Sequence, residues 1–258
     1  MDNRVTPKKS FGQHFLHDKN IAAKIAAAIP DQSIPLLEIG PGMGMLTQFL
    51  LERPNQLKVI EIDHESVKYL EQHFPQLLPD ALIRQDFLSA QLPAIYPGEF
   101  GIIGNFPYNI SSQILFRTIE HQQQIPVLCG MFQKEVAERI ASGHGNKQYG
   151  ILSVLLQTWY DVKLLFTVNE NVFTPPPKVK SAVILISRKP EQPGIEDPAL
   201  FIRIVKAAFN QRRKMLRNAI ASGFGSEIRF PFETLRAEQL SVEQYFELYQ
   251  IIRKQLIK

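Results

Sequence analysis

The chain lacks the features that would place it in an oxidising compartment, in a membrane or around a metal ion. Its 258 residues include one cysteine, Cys129, which excludes an intrachain disulfide, and neither this thiol nor the six histidines show metal-ligand spacing. No run approaches the roughly 18 apolar residues of a membrane span, and the first residues contain no apolar segment of a signal peptide. We therefore expect a cytoplasmic protein with a buried, reduced thiol and with neither a metal nor a membrane partner.

The chain also lacks internal repeats and low-complexity tracts, and its 45% apolar and 21% charged residues are typical of a globular protein. The net charge of +4 is unevenly placed, because residues 199–258 contain 11 Lys and Arg against 5 Asp and Glu. A near-neutral body with a basic C-terminal part indicates a polyanionic partner; the alternative is a solvated helical surface.

Short apolar runs alternate with amphipathic stretches along most of the chain. The runs that indicate strands are residues 34–39, 57–62, 81–84, 100–104, 125–132, 162–168 and 182–187. Asp18 is a candidate N-cap for a helical pattern at residues 19–29. Further helical patterns lie between several of the strands, at residues 46–52, 65–73, 112–121, 134–141 and 151–160. This alternation predicts an α/β fold around a mostly parallel sheet. The last two strands follow one another without a helix, which predicts antiparallel pairing at one edge.

A segment rich in proline and charge, residues 188–194, interrupts every periodicity. Beyond it only helical patterns occur, at residues 198–221, 232–235 and 242–256. We therefore predict a larger α/β domain over residues 1–189 and a small all-helical domain over residues 190–258.

A buried strand, residues 36–39, runs into a glycine-rich turn that contains Gly40 and Gly42. Glu61 ends the next strand about 20 residues on, where dinucleotide folds place a ribose-binding acid, and Asp86 follows the strand after that, placed to receive an adenine amine. The spacing Gly-x-Gly-x-Gly differs from that expected for NAD. S-adenosylmethionine needs ribose and adenine contacts but no pyrophosphate site, so the pattern favours it over a nicotinamide cofactor.

The tetrapeptide Asn105-Phe106-Pro107-Tyr108 follows the fourth strand-like run. An Asn carbonyl, a proline-fixed turn and an aromatic ring can together hold a flat ring that carries an amine, as enzymes that modify an unstacked base require. The alternative is a simple turn at the end of a strand.

With these motifs in place, the chain resembles the small-subunit ribosomal RNA adenine dimethyltransferase family of class I methyltransferases over essentially its whole length. The similar segments are residues 11–16 (Phe-Gly-Gln-His-Phe-Leu), 38–42 (Glu-Ile-Gly-Pro-Gly), 105–111 (Asn-Phe-Pro-Tyr-Asn-Ile-Ser), 172–179 (Val-Phe-Thr-Pro-Pro-Pro-Lys-Val) and 209–218 (Phe-Asn-Gln-Arg-Arg-Lys-Met-Leu-Arg-Asn). His14 stands where the family has Asn, and Phe106 where it has an aliphatic residue.

The resemblance implies roles for further residues. His14, Leu16 and Glu38 join the S-adenosylmethionine site, and Asn105 serves both cofactor and base. Phe173 stacks on the target base; without the family match it reads as a core residue beside a strand. Lys178 and Lys180 bind phosphate or keep their loop soluble.

Residues 209–218 resemble the family's Phe-x-x-Arg-Arg-Lys-x-Leu segment. On a continuous helix Lys206, Asn210, Arg213 and Arg217 share one face. This basic stripe contacts RNA phosphates or, alternatively, pairs with acidic residues of the catalytic domain.

By resemblance, the enzyme is a monomer that dimethylates N6 of two adjacent adenosines in a hairpin loop at the 3′ end of small-subunit rRNA, within an immature small subunit. The nearest alternative is the antibiotic-resistance methyltransferase of large-subunit rRNA, against which the Arg212-Arg213-Lys214 segment argues. A third possibility is a non-catalytic assembly factor, which the acid–glycine–asparagine set disfavours as the sole role.

Overall fold

The computed structural model describes residues 5–256 and divides into two compact units. The first unit comprises the described residues up to Ala137 together with Lys163–Arg188, and the second comprises Glu138–Val162 and the described residues from Lys189 onwards. Within residues 5–256, no helix is both long enough and apolar enough to cross a membrane.

Nine strands form one large and one small sheet in the described part of the chain. They are β1 (Phe15–Leu16), β2 (Leu36–Ile39), β3 (Leu57–Glu61), β4 (Leu82–Arg84), β5 (Gly101–Asn105), β6 (Val127–Gln133), β7 (Tyr160–Val168), β8 (Phe173–Thr174) and β9 (Ser181–Arg188). The seven-stranded sheet has the order β4-β3-β2-β5-β6-β9-β7, and β1 pairs antiparallel with β8. Strands β4, β3, β2, β5 and β6 are parallel to one another, whereas β9 runs antiparallel to β6. The predicted α/β fold with antiparallel pairing near one edge is confirmed.

The helices are α1 (Lys19–Ala26), α2 (Thr47–Leu50), α3 (His64–His73), α4 (Leu92–Ile95), α5 (Ser111–Glu120), α6 (Lys134–Ala141), α7 (Ile151–Trp159), α8 (Pro198–Asn210), α9 (Leu216–Phe224) and α10 (Val242–Leu256). Asp18 caps α1 as predicted, because its carboxylate accepts from the N–H groups of Asn20 at 2.8 Å and Ile21 at 3.1 Å.

The parallel register brings the polar ends of the strands to one edge of the sheet. Ile39 lies opposite Ile60, Glu61 opposite Arg84, and Asn105 opposite Met131. The strand bodies are apolar, and β2 is buried along its whole length. The side chains at and just beyond the carboxyl ends are therefore held by the hydrogen-bond ladder of a buried sheet, at the edge where such folds bind ligands.

The structure groups residues 138–162 with the C-terminal helices, whereas the sequence prediction placed them in a first domain of residues 1–189. Helix α7 explains this difference. It buries residues on several sides, and Trp159 at its end meets Phe201 of α8 edge to face with ring centroids 5.5 Å apart. A boundary drawn from composition cannot show that a helix inside the βαβ alternation packs on distant helices.

The predicted helix over residues 198–221 is wrong, because the chain turns between α8 and α9 at residues 211–215. The first N–H groups of α9 find other partners: Leu216 donates to the carbonyl of Leu235 at 2.7 Å and Arg217 to that of Glu233 at 3.1 Å. The predicted helix at residues 232–235 is also wrong, since these residues form the turn that supplies the acceptors. Sequence periodicity continues through the break because it does not register these long-range bonds.

Candidate active site

A cavity of about 240 Å³ lies at the carboxyl edge of the large sheet in the first unit. It brings together eight of the predicted site residues, namely His14, Gly40, Gly42, Glu61, Asp86, Asn105, Pro107 and Tyr108. Leu16 and Glu38 instead line a small cavity of about 30 Å³, which shares Phe15, Gly40 and Asn105 with the larger one.

The glycine turn lies directly against the Asn-Phe-Pro-Tyr turn. Gly40 and Gly42 have φ of +65° and +57°, a region that L-residues with side chains avoid. A β-carbon on Gly42 would lie 2.8 Å from the Phe15 ring, and one on Gly40 would lie 3.8 Å from Cδ of Pro107. The positive φ therefore favours glycine at both positions, and at Gly42 the Phe15 ring leaves no room for a side chain.

Glu61 presents a fixed carboxylate to the cavity. The side chain is 5% exposed and accepts from the N–H groups of Gly42 at 3.1 Å, Ile62 at 2.9 Å and Asp63 at 2.9 Å. Burial raises the pKa of Glu61, while these hydrogen bonds act in the opposite direction. An oriented carboxylate with remaining lone pairs suits a pair of hydroxyl donors such as those of a ribose.

Asp86 offers a second acceptor beside an apolar surface. One carboxylate oxygen accepts from the N–H of Leu88 at 2.9 Å, and within residues 5–256 the other makes no hydrogen bond. Ile62, which is 51% exposed, and Phe87 and Leu88 line the same cavity. An acceptor next to apolar side chains suits a flat heterocycle that carries an amine.

The orientation of Asn105 is set by the N-terminal segment. Its amide nitrogen donates to the backbone carbonyl of His14 at 3.0 Å, and its Oδ1 has no hydrogen-bond partner in the described part of the chain. This oxygen is therefore available to accept from a ligand. The His14 imidazole is engaged elsewhere, since Nδ1 lies 2.7 Å from the carbonyl of Pro175, so the backbone of His14 makes the contact to Asn105.

Tyr108 is held at both ends of its side chain. Its hydroxyl lies 2.5 Å from Oγ of Ser181, and its ring lies 5.3 Å from the His14 ring. Burial raises the pKa of Tyr108, so the phenol remains neutral at physiological pH. The carbonyl of Pro107 accepts from the N–H of Ile110 at 3.2 Å, which closes the turn.

Phe106, where the family has an aliphatic residue, fits because two glycines make room for its ring. The ring is 1% exposed and packs 5.1 Å from the Phe132 ring. A β-carbon on Gly104 would lie 2.8 Å from the Phe106 ring, and one on Gly130 would lie 2.1 Å from it. The substitution is therefore accommodated in the sheet and leaves the polar part of the motif unchanged.

Phe173 is not among the cavity-lining residues. It is 2% exposed, pairs with Leu16 between β8 and β1, and belongs to the apolar core that includes Ile25 and Val183. Its burial favours the alternative of a core residue over the base-stacking role that the resemblance implied.

Glu38 is buried beneath the glycine turn. Its carboxylate accepts from Oγ1 of Thr47 at 2.7 Å, which links β2 to α2 on the two sides of the turn. Burial raises the pKa of Glu38 to about 8, against the effect of the Thr47 hydrogen bond, and the nearby Glu61 charge raises it further.

Sequence analysis missed several residues of this region. Phe11, Phe15, Gln85 and Asn109 line the cavity, and each is a close sequence neighbour of a predicted residue. Lys8 and Asp63 were also missed. Lys8 forms an ion pair with Asp63, and Gln13 donates to the same carboxylate at 3.3 Å, so the N-terminal segment is tied to the end of β3. Within residues 5–256, no three His, Cys, Asp or Glu side chains come together to hold a metal ion.

The basic residues predicted to bind RNA are exposed in both units. Lys178 and Lys180 follow β8, Lys206 lies on α8, Arg213 lies in the turn, and Arg217 lies on α9. The prediction of one continuous helical stripe is wrong, because Arg213 is outside both helices. Arg212 is bound within its unit: its guanidinium donates to the carbonyls of Lys147 at 2.7 Å and Asn146 at 3.3 Å and lies 3.7 Å from the Glu238 carboxylate.

The sheet order, the positive-φ glycine turn and the strand-end acids define a class I methyltransferase fold. The model of the family described as ribosomal RNA adenine dimethylase matches residues 4–254. The chain belongs to this family, and it is therefore a ribosomal RNA adenine dimethyltransferase that uses S-adenosylmethionine. Family membership confirms the resemblance found in the sequence.

Similar proteins cover nearly the whole chain. "Ribosomal RNA small subunit methyltransferase A" of Parabacteroides distasonis is 54% identical over 98% of this chain and 97% of its own length. The protein of the same name from Bacteroides fragilis is 52% identical over 95% of this chain and 91% of its own. A dimethyladenosine transferase from Plasmodium falciparum has a similar fold, with a TM-score of 0.79 at 24% identity over 93% of this chain and 98% of that chain. The 23S rRNA methyltransferase ErmE has a similar fold, with a TM-score of 0.69 at 24% identity over 93% of this chain and 99% of that chain.

Proposed function

We propose that this protein dimethylates N6 of two adjacent adenosines in the 3′-terminal hairpin loop of small-subunit rRNA, within an immature small ribosomal subunit. The observation that carries the proposal is the cavity that Asn105, Glu61 and Asp86 line together. The choice of the small subunit is supported by relatives of that name that are 52–54% identical. We infer that the enzyme acts as a monomer in the cytoplasm, where its single buried thiol stays reduced.

In this proposal the chain holds S-adenosylmethionine with residues at the strand ends. Glu61 accepts from the ribose hydroxyls, Asp86 accepts from the adenine amine, and Gly40 and Gly42 allow close approach of the backbone. These side chains fit the cofactor, because two carboxylates that can accept hydrogen bonds lie beside apolar side chains in one cavity. When bound, the cofactor supplies a methyl group activated by its sulfonium charge.

Three further residues support the cofactor site through contacts with its neighbours. The backbone of His14 orients Asn105, Leu16 joins the paired strand beside it, and Glu38 fixes the glycine turn through Thr47. Leu16 and Glu38 support the cofactor site from outside, since neither lines the larger cavity, whereas His14 both lines that cavity and orients Asn105.

Asn105, Pro107 and Tyr108 hold the target base. The N6 lone pair of adenine is delocalised into its ring, so the amine is a weak nucleophile. A hydrogen bond from N6 to Oδ1 of Asn105 favours a pyramidal nitrogen, with its lone pair free to react, and the Tyr108 ring stacks on the base. Alignment and electrostatic complementarity to the positive charge that develops on N6 supply the rate enhancement. A strong general base is unnecessary, because the nitrogen becomes acidic once methylated.

The exposed basic residues bind RNA backbone in this proposal. Each unit contributes its own set: Lys178 and Lys180 in the first, and Lys206, Arg213 and Arg217 in the second. Cationic side chains that neutralise phosphates release counterions, so we expect the affinity for immature subunits to fall steeply with salt.

The proposal is tested with immature small subunits purified from cells that lack this enzyme. After incubation with labelled cofactor, mass analysis of the 3′ rRNA fragment should show two adjacent dimethylated adenosines. Asn105→Ala should lower this methylation on the order of 10²–10³-fold, whereas Asn169→Ala should match the unmodified protein, because Asn169 is exposed and outside the cavity. Large-subunit RNA from the same cells is offered in a parallel reaction, and label there with none in the 3′ fragment would establish the alternative target. Full turnover by Asn105→Ala would remove Asn105 from the mechanism.

A further inference from the structure

Arg117, on helix α5, makes an unusual set of contacts with the loop that carries Asp86. Its guanidinium donates to the carbonyls of Phe87 at 2.7 Å and Ala90 at 2.7 Å, and also to that of Leu88. Its Cζ lies 5.3 Å from the centroid of the Phe87 ring. A single half-buried side chain therefore ties three carbonyls and one ring of this loop to α5.

The loop over residues 85–90 needs such an anchor. It follows β4, a strand of three residues at the edge of the sheet, which has a neighbour on one side only. Three carbonyl oxygens that converge on one point each need a hydrogen-bond donor, since an unpaired buried polar group is costly. The planar guanidinium, with five N–H donors, satisfies all three at once, which the compact ammonium of Lys does less well.

The N-terminal end of α5 follows the Asn-Phe-Pro-Tyr turn, residues 105–108. Helix α5 begins at Ser111, whose Oγ donates to the carbonyl of Tyr108 at 3.0 Å. Arg117 lies less than two helical turns further on, so one rigid helix joins the turn of Asn105 to the loop of Asp86. Both connected segments line the cavity. The turn contributes Asn105 and Tyr108, and the loop contributes Asp86, Phe87 and Leu88.

We infer that Arg117 is a positioning residue, which holds the Asp86 loop in the geometry that recognises the adenine amine of the cofactor. This inference rests on the proposed role of Asp86. Arg117 does not line the cavity and acts through the loop it binds. Its loss should therefore weaken cofactor binding and, more specifically, weaken the discrimination between a ligand with the 6-amino group and a ligand without it.

The test is calorimetric titration of the full-length protein with S-adenosylhomocysteine and with its inosine analogue, S-inosylhomocysteine. Wild type should bind the adenosine ligand more tightly. Arg117→Met should bind it roughly tenfold more weakly and should lose most of the preference between the two ligands. In an Asp86→Ala background, Arg117→Met should leave the remaining ratio of affinities unchanged, because the residue through which it acts is gone.

Arg53 provides the matched control. It is also half-buried and donates to two carbonyls, those of Ala26 and Ile29, but none of these residues lines the cavity. Arg53→Met should lower the thermal midpoint much as Arg117→Met does, with the ligand preference of wild type. An equal loss of preference in both variants would reduce the role of Arg117 to general stability.

The outcomes distinguish the proposed role of Asp86 from that of Arg117. If wild type binds both ligands equally, the proposed role of Asp86 fails. If wild type discriminates and Arg117→Met keeps both its affinity and its preference, the positioning role of Arg117 fails. Should Arg117→Met not fold, Arg117→Lys decides: we expect a folded protein with a reduced preference, and a preference equal to wild type would overturn the inference.

Discussion

The cavity of the first unit and the basic segment of the second are held in place by different kinds of contact. Around the cavity, Glu61 and Asn105 end strands of a buried parallel ladder, so backbone hydrogen bonds determine where their side chains begin. In the basic segment, the turn between α8 and α9 depends on bonds to distant parts of the chain, including those of Arg212 to the loop at Asn146 and Lys147.

This difference shows which functional residues are tied to the fold. The backbone at the end of a paired strand moves only if the sheet moves. An exposed cation in a turn keeps its charge even when local structure changes, so its contribution depends on charge more than on exact position. We therefore expect substitutions in the cavity to act on specific recognition, and substitutions of the exposed basic residues to act on salt-dependent binding.

The largest effect should come from Phe173, a core residue that pairs with Leu16 of β1 in the first unit. Phe173→Ala should lower the free energy of unfolding by about 3–5 kcal/mol, because it leaves a void in a buried cluster. Urea unfolding measures this change. Phe173→Leu is the control, since an aliphatic side chain refills most of the core yet cannot stack on a base. If Phe173→Leu is as stable as wild type yet does not methylate immature subunits, the Phe173 ring stacks on the base after all.

Glu61 tests the part of the cavity that depends on strand register. Glu61→Gln should weaken S-adenosylhomocysteine binding roughly 10- to 100-fold, because charge-assisted hydrogen bonds to the ribose become neutral ones. Calorimetric titration measures the affinity. Glu52→Gln, at an exposed position outside the cavity, removes the same charge and should bind like wild type. Equal affinities for wild type and Glu61→Gln would contradict the ribose assignment.

Two neighbouring arginines test the basic segment. Arg212→Gln should lower the free energy of unfolding by about 1–3 kcal/mol, since it leaves loop carbonyls without their donor. Arg213→Gln should change stability by less than about 0.5 kcal/mol. It should instead reduce the salt slope of immature-subunit binding by about 0.7–0.9 if it neutralises one phosphate. An unchanged slope for Arg213→Gln would favour a solvated surface without an RNA contact.

A last test concerns pH and the buried Glu38. Its folded-state pKa of about 8 lies above the ordinary value of 4.5, so the folded protein keeps a proton that the unfolded chain releases. Stability from the neutral carboxyl is complete below about pH 4.5 and is lost as pH rises towards 8, by at most about 1.4 kcal/mol per pH unit. Urea unfolding from pH 5 to 8 should show wild type losing stability relative to Glu38→Gln. Parallel pH profiles would mean that Glu38 is ionised in the folded protein.

The strand-end residues of the cavity could be expected at one edge of the sheet from the sequence, because the rules that locate them are local. A glycine turn after the first buried strand, acids after the next two and Asn105 after the fourth each follow from strand position, and parallel strands end at one edge. The sequence is a poorer guide where a distant part of the chain decides the local conformation. The apolar pattern continued through residues 211–215, yet the carbonyls of Glu233 and Leu235 capture the first N–H groups of α9 and allow the helix to break.

The amino-acid sequence by itself determined the α/β class, the edge of the sheet that bears the polar residues, and the family, because strand periodicity and short motifs are written in adjacent residues. Only the tertiary structure decided that Phe173 lies in the core, that the backbone of His14 orients Asn105, and that Arg117 holds the loop of Asp86. Each of these depends on contacts between residues far apart in the chain, and no local pattern records which distant groups will meet.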